Sequence, residues 1–250
     1  MIEFKDLSVS IDKKNILDSI SLVANNREIT AVLGRNGSGK TTLLSSVFKE
    51  RKYSGSILVD GRDISLISRK ELAKKVSIMP QNVLSPDITV ESLVSYGRTP
   101  YTSFSGILTS EDREKVYSAI KEMGLYELSQ RNVSSLSGGE CRRAYFAMIL
   151  AGDADTVMLD EPTTFMDAVT KKELFAFIDI LKKRNKAVII VLHDLTDAVK
   201  VSDRIYLIDG GKTIFSGSAT EFADSSYPTE IFGLEAVRII RENAENIFFI

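Results

Sequence analysis

The chain has 250 residues, of which 44% are hydrophobic and 26% charged, with 15 glycines and 5 prolines. This composition is typical of a packed globular protein and excludes fibrous repeats and long disordered stretches. The 32 Lys and Arg residues against 34 Asp and Glu residues give a net charge of −2, which argues against binding nucleic acid or anionic membranes through bulk charge.

Three further features favour a soluble, intracellular protein. No apolar run approaches the roughly 18 residues that span a bilayer, and the first residues show no secretory signal pattern. The single cysteine, Cys141, has no partner for an internal disulfide, which fits a reducing compartment.

Short β-branched runs alternate along the chain with longer helical patterns, which predicts an α/β fold with helices covering a sheet. Residues 1–33 and 55–61 are predicted to be short strands of a small antiparallel layer. The predicted strands, in chain order, are 28–33, 56–59, 76–79, 156–159, 187–192, 204–208 and 213–215.

The strand signal disappears between about Asp87 and Asp153. Helices are predicted at 89–96, 110–123 and 138–150, the second opening at Thr109 and Ser110 with acidic residues in its first turn. We therefore predict one domain, with an α/β core at 1–86 and 154–250 and an inserted helical subdomain at 87–153. The edges of this insert are the segment 80–86 and the turn at 152–153.

Residues 34–41, with the sequence Gly-Arg-Asn-Gly-Ser-Gly-Lys-Thr, directly follow a predicted strand and open a predicted helix at 40–48. This is the pattern and the context of a phosphate-binding loop, in which glycines let backbone N–H groups converge on an anion at a helix N-terminus. Lys40 is expected to reach the β- and γ-phosphates, and the Thr41 hydroxyl to hold Mg²⁺. The alternative is a glycine-rich turn with a surface lysine. The predicted nucleotide-binding residues are Gly34, Arg35, Asn36, Gly37, Ser38, Gly39, Lys40, Thr41 and Thr42.

Polar side chains follow three of the predicted strands. Asp160 and Glu161 end the apolar strand 156–159, His193 follows strand 187–192, and Gln81 follows strand 76–79. In open α/β sheets, ligands collect at the carboxyl ends of the strands. Asp160 is thus placed to hold Mg²⁺ through a water, Glu161 to accept the proton of an attacking water, and His193 to contact a γ-phosphate. A lone histidine is by default a core or boundary residue, and a glutamine in a turn is normally surface.

The segment Leu136-Ser-Gly-Gly-Glu140 precedes an apolar helix. Ser137 as N-cap and Glu140 as the partner of a capping box explain two of its residues. They do not explain Gly138 and Gly139, because each glycine weakens a helix start by roughly 1 kcal/mol. Bare glycines at a positive helix end indicate the close approach of an anion.

Together these pieces resemble the ATP-binding subunit of ABC transporters, over essentially the whole chain. Two segments favour one branch of this family. Residues 89–101 and the Asp-Glu-Pro-Thr-Thr run at 160–164 are similar to the corresponding segments in ATPases of iron–siderophore, haem and cobalamin importers. The motifs that carry the resemblance are 34–41 (Walker A), Gln81 (Q-loop), 136–140 (signature), 157–161 (Walker B), 164–167 (D-loop) and His193 (switch histidine).

The resemblance implies a P-loop NTPase core with a mixed, mainly parallel sheet. It also implies a head-to-tail dimer of this chain or of paralogous ATPases, with two ATP molecules and Mg²⁺ between the subunits. Ser137, Gly138, Gly139 and Asp167 then contact ATP bound by the partner. Gln81 joins Thr41 and Asp160 as an Mg²⁺ ligand. The residues that act in catalysis are Glu161, His193, Gln81 and Lys40, with His193 and Gln81 sensing the γ-phosphate. A membrane permease is expected to dock near residues 81–101 and to hold the subunit at the cytoplasmic face, with a substrate-binding protein as an indirect partner.

The sequence departs from the family pattern in three places. Glu140 replaces a commoner glutamine, Phe165-Met166 replaces Ala-Leu, and Ile11 stands where an aromatic residue usually stacks on adenine. Two other functions stay open at this point. One is a soluble ABC ATPase of iron–sulfur cluster assembly, and the other is a P-loop small-molecule kinase, which gives no role to residues 136–140.

Overall fold

The computed structural model describes residues 1–49, 51–79, 81, 83–103, 106–164, 166–241 and 244–250. Pro80, at the predicted edge of the helical insert, and Phe165, in the predicted D-loop, lie outside the described residues. The strands are, in chain order, β1 (Ile2–Ile11), β2 (Lys14–Ala24), β3 (Ile29–Leu33), β4 (Ser54–Val59), β5 (Arg62–Asp63), β6 (Val76–Met79), β7 (Thr156–Leu159), β8 (Ala187–Val191), β9 (Arg204–Asp209), β10 (Lys212–Ser218), β11 (Ala236–Arg241) and β12 (Ala244–Phe249).

The α-helices lie between these strands along the chain. In chain order they are α1 (Lys40–Ser46), α2 (Arg69–Lys75), α3 (Val90–Ser95), α4 (Ser110–Glu122), α5 (Gly138–Gly152), α6 (Ala168–Lys183), α7 (Leu195–Val201), α8 (Ala219–Asp224) and α9 (Tyr227–Phe232). No helix in the part of the chain that the structure describes is long and apolar enough to cross a membrane.

The main sheet has six strands in the order β10-β9-β3-β8-β7-β6. Its strands β9, β3, β8, β7 and β6 run parallel, and β10 pairs antiparallel with β9 at one edge. Every residue of β3, β7 and β8 is buried, as expected for parallel strands covered on both faces. The predicted mainly parallel α/β fold is confirmed, and the parallel strands bring the residues that follow β3, β6, β7 and β8 to one edge.

The predicted antiparallel layer also exists, in the order β2-β1-β4-β5, but two expectations about it were wrong. Residues 29–33 do not join this layer, because they form β3 at the centre of the parallel sheet. The first two strands are long, at 10 and 11 residues. Register shifts between them and a left-handed backbone at Asp6 and Ser19 (φ 47° and 55°) interrupt the two-residue alternation, so the sequence indicates only short strands.

Between residues 87 and 153 the described backbone has helices and one isolated bridge, Thr89 to Asn132. Helices α3, α4 and α5 pack together there. The expected opening of α4 is confirmed, because Thr109 and Asp112 form a capping box. Arg98 is only 2% exposed and connects α4 with α5. It donates to Asp112 Oδ1 and to the carbonyl oxygen of Ala151, each at 2.9 Å. The division of the chain into core and helical subdomain stays a prediction.

Candidate active site

The loop at residues 34–41 joins β3 to α1 and has the backbone that its glycines allow. Gly39 is the N-cap of α1 with a φ of 103°, a left-handed conformation that disfavours other residues. At Gly34 a side chain has no room, since an added Cβ would lie 2.2 Å from the carbonyl oxygen of Ile208. The glycines thus allow both the backbone conformation of the loop and its close packing against β9.

The N-terminus of α1 faces this loop, and no side chain of the helix start accepts a hydrogen bond from its free N–H groups. No side chain caps the helix, and its first turn holds no acidic residue. The first N–H groups of a helix have no partner within the helix and carry partial positive charge. This end of α1 thus offers donors to an anion.

Lys40 is the central cation of the loop and is only 4% exposed. Its Nζ donates to the carbonyl oxygens of Gly34 at 2.9 Å and Arg35 at 3.1 Å. Burial lowers the pKa of Lys40, against the opposing influence of the Glu161 and Asp160 carboxylates. Among the described residues, no carboxylate forms an ion pair with this ammonium, so a buried charge faces the loop without a counterion. A phosphate group would supply one.

Asp160 lies at the end of β7, 7% exposed, and its Oδ1 accepts a long hydrogen bond of 3.4 Å from Thr41 Oγ1. Burial raises the pKa of Asp160, although the hydrogen bond from Thr41 and the charge of Lys40 lower it. A hydroxyl and a carboxylate are the hard oxygen ligands that Mg²⁺ takes together with water and substrate phosphates. Within the described ranges, no cluster of three or more His, Cys, Asp or Glu residues could hold a metal alone. The residues present therefore fit an Mg²⁺ ion that arrives with a nucleotide.

Glu161, which follows β7, contacts polar side chains that follow the neighbouring strands β6 and β8. Its Oε2 accepts a hydrogen bond of 2.8 Å from Gln81 Nε2, and its Oε1 lies 2.7 Å from His193 Nε2. The backbone of Glu161 is left-handed, with φ 47°. The structure thus brings Gln81, Glu161 and His193 into contact, while Gln81 makes its contact with Glu161 rather than with Thr41 or Asp160.

Lys40, Thr41, Glu161 and His193 border a cavity of about 650 Å³, within the size range of small-molecule sites. Ile11, the residue predicted to lie beside adenine, is in its wall, and its contact with adenine stays a prediction. Ile16 and Thr164 also line it and were not predicted. Ile16 follows the tight turn after Ile11, so the β1–β2 hairpin brings a second aliphatic side chain to the same wall. The lining residues are Ile11, Ile16, Asn36, Gly37, Gly39, Lys40, Thr41, Thr42, Glu161, Thr164 and His193.

The N-terminus of α5 is built as the sequence indicates. Ser137 and Glu140 form a capping box, in which Glu140 Oε2 accepts from the Ser137 N–H at 2.8 Å and from its hydroxyl at 2.7 Å. These hydrogen bonds lower the pKa of Glu140. Apart from the adjoining residues and the backbone of α5 itself, no described atom lies within 4 Å of a Cβ added at Gly138, and at Gly139 only Arg143 comes to 4.0 Å. The packing of this chain therefore does not require these glycines.

Not every predicted site residue lines the cavity, and Gly34, Arg35, Ser38, Gln81 and Asp160 are among those that do not. Ser137, Gly138 and Gly139 do not line it, and neither does Asp167, which caps α6 by accepting from the Thr170 N–H at 2.7 Å. Within one chain, these four residues are not brought to the phosphate-binding loop.

Comparisons with known proteins agree with this geometry. The sequence profile of the ABC transporter family matches residues 17–164. The petrobactin import ATP-binding protein YclP of Bacillus subtilis is 35% identical over 94% of this chain and 93% of its own length. The hemin import ATP-binding protein HmuV of Pseudomonas fluorescens is 32% identical over 95% of this chain and 94% of its own.

Solved structures share the fold. A chain of a metal-chelate type ABC transporter in an inward-facing conformation superposes with a TM-score of 0.86 at 22% identity, covering 100% of this chain and 96% of that one. The chain therefore belongs to the ABC transporter family and is one of its ATP-binding proteins, which are ATPases.

Proposed function

We propose that this chain is the ATP-hydrolysing subunit of an ABC importer that takes up iron chelates of the siderophore or haem type, or the related corrinoid cobalamin. The relatives named for petrobactin and hemin import support this substrate class, because the chain matches them over nearly its whole length. We place the α/β core at 1–86 and 154–250 and the helical subdomain at 87–153.

The observation that carries the proposal is the Glu161 carboxylate, held between Gln81 and His193 beside the unpaired charge of Lys40. In our proposal the loop N–H groups and Lys40 bind the β- and γ-phosphates, and Ile11 covers the base. Glu161 accepts the proton of the attacking water, while His193 and Gln81 turn from Glu161 to the γ-phosphate side of the site. Thr41, Asp160 and Gln81 would hold Mg²⁺, which when bound neutralises charge on the phosphate oxygens.

A second copy of the chain, or a paralogous ATPase, completes each site in our proposal. Ser137, Gly138, Gly139 and Asp167 lie outside the cavity of their own chain, and the space over Gly138 is open. These groups would meet the nucleotide bound by the partner in a head-to-tail dimer that ATP closes and hydrolysis reopens. The helix start at Gly138 then adds its N–H groups to the phosphates from the other side.

A permease would dock near residues 81–101 and hold the subunit at the cytoplasmic face of the membrane. Leu84 supports this placement, since its side chain is 74% exposed while its carbonyl oxygen accepts a 2.8 Å hydrogen bond from Tyr145 Oη. An apolar side chain on an anchored backbone suits a binding surface. Tyr96, 57% exposed, lies in the same stretch.

The Glu161→Gln variant tests the hydrolytic role. It should bind ATP but hydrolyse it at least ~10²-fold more slowly, as expected for the loss of a general base, and it should accumulate as an ATP-bound dimer. Turnover and size-exclusion chromatography with ATP measure both effects. Near wild-type turnover would remove Glu161 from the mechanism.

Mixed dimers test the completion of each site by a partner. Lys40→Ala chains mixed with Ser137→Arg chains form heterodimers in which one site carries both defects and the other carries neither. Mixing the two inactive proteins should restore some ATPase activity. The control is a heterodimer of one wild-type chain and one mutant chain. If this control is active while the mixture of the two mutants stays inactive, the head-to-tail geometry is wrong.

Crosslinking from a new cysteine tests the docking surface. The only native cysteine, Cys141, is buried, so Leu84→Cys adds one accessible thiol. In membranes of the source cells, this thiol should crosslink to an integral membrane protein, whereas Tyr117→Cys, exposed on α4, should not. Equal crosslinking from both positions would argue against docking near 81–101.

A further inference from the structure

Lys171, in the first turn of α6, reaches across to the first turn of α7. Its Nζ donates to Asp197 Oδ2 at 2.6 Å and lies 3.8 Å from Asp194 Oδ2. The pair is partly shielded from water, with side-chain exposures of 28% for Lys171 and 13% for Asp197. Such shielding makes an ion pair stronger than one on an open surface.

Each of the two helix starts joined by this ion pair adjoins a residue of the proposed site. Asp167 is the N-cap of α6, and its carbonyl oxygen accepts from the Lys171 N–H at 3.0 Å. Asp194 is the N-cap of α7 and accepts from the Asp197 N–H at 3.0 Å, and His193 directly precedes it. One side chain therefore connects the segment that ends in Asp167 with the segment that carries His193.

We propose that Lys171 is a positioning residue for ATP hydrolysis, which acts by holding His193 in place through the start of α7. This inference rests on the proposed role of His193. Helix α7 has seven residues, too few to be stable without tertiary contacts. The position of its N-terminus therefore depends on the contacts that its first turn makes with Lys171. Without the ion pair, α7 shifts or frays at its N-terminus, and His193, which directly precedes the N-cap Asp194, loses its position for contacting the γ-phosphate.

The first experiment compares Lys171→Met with Lys172→Met. Both changes remove one lysine charge from the same helix, but Lys172 is exposed. Lys171→Met should lower kcat for ATP hydrolysis by about tenfold, less than the roughly 100-fold that a full 1 Å misplacement can cost. The KM for ATP should stay within about twofold, because the phosphate-binding groups are untouched. Lys172→Met should match the wild type, and Lys171→Arg should recover most of the loss.

The second experiment separates positioning from a general structural role. In a His193→Ala background, Lys171→Met should cause no further loss of kcat, because the residue through which it acts is gone. Asp197→Asn breaks the pair from the other side, should show the same pattern, and serves if Lys171→Met does not fold.

The outcomes distinguish the two levels of the proposal. Unchanged kcat in both Lys171→Met and Asp197→Asn overturns the positioning role. So does a loss of kcat from Lys171→Met that is as large in the His193→Ala background as in the wild type. Either outcome leaves the proposed function intact. Full turnover by His193→Ala alone overturns the role of His193 and this inference with it.

Discussion

Replacing Lys40 with methionine should separate nucleotide binding from the stability of the fold. Lys40 is 4% exposed, and within the described part of the chain its ammonium donates to the carbonyl oxygens of Gly34 and Arg35. Desolvating a charge costs several kcal/mol, while each hydrogen bond from a charged donor contributes about 1.5–3 kcal/mol. These contributions nearly cancel, so we expect the free energy of unfolding of Lys40→Met to lie within about 1 kcal/mol of the wild type.

ATP affinity should respond very differently. Because Lys40 is the only buried cation at the described phosphate-binding loop, its loss should weaken ATP binding at least ~100-fold, or about 2.7 kcal/mol. Urea unfolding without nucleotide measures the first quantity, and titration with a fluorescent ATP analogue measures the second. Lys14→Met, a charge removed from an exposed position near the loop, is the control and should change neither. A loss of stability above about 2 kcal/mol, or retained ATP affinity, would refute this reasoning.

Three further predictions follow from other contacts. Ile11→Tyr should tighten binding of the ATP analogue threefold to tenfold, or about 0.6–1.4 kcal/mol, because a ring stacks on a base better than an aliphatic chain does; an unchanged Kd would place position 11 away from adenine. Hydrogen bonds from Thr109 and the Arg98 guanidinium lower the pKa of Asp112 from 3.8 to about 2. That carboxylate therefore stabilises the fold above about pH 4, and the stabilisation, about 2 kcal/mol, disappears as the pH falls to 2; acid unfolding of Asp112→Asn should lack this component. Gly97→Ala should lower the Tm measured by calorimetry, because the added carbon would lie 2.2 Å from a backbone oxygen of α5; an unchanged Tm would mean that the segment around Gly97 moves away from α5 at no cost.

Local patterns in the sequence were sufficient for much of the site. The phosphate-binding loop, the carboxylates after β7 and the capping box at Ser137 each depend on neighbours within a few residues. The parallel arrangement of the strands then follows from their continuous apolar runs. For this reason the residues at one sheet edge could be predicted together before any distance was known.

Only the tertiary structure decided how those residues meet. The contact of Gln81 with Glu161 joins positions 80 residues apart, and no local pattern sets which oxygen each group approaches. Ile16 reaches the cavity wall because a two-residue turn folds β2 back on β1, and the hairpin of β11 and β12 had no expected place at all. No pattern in the sequence distinguishes Lys171, and its role depends on the fold bringing Asp197 to it. Spacing along the chain determines which chemistry is available, whereas packing between distant segments determines which groups touch.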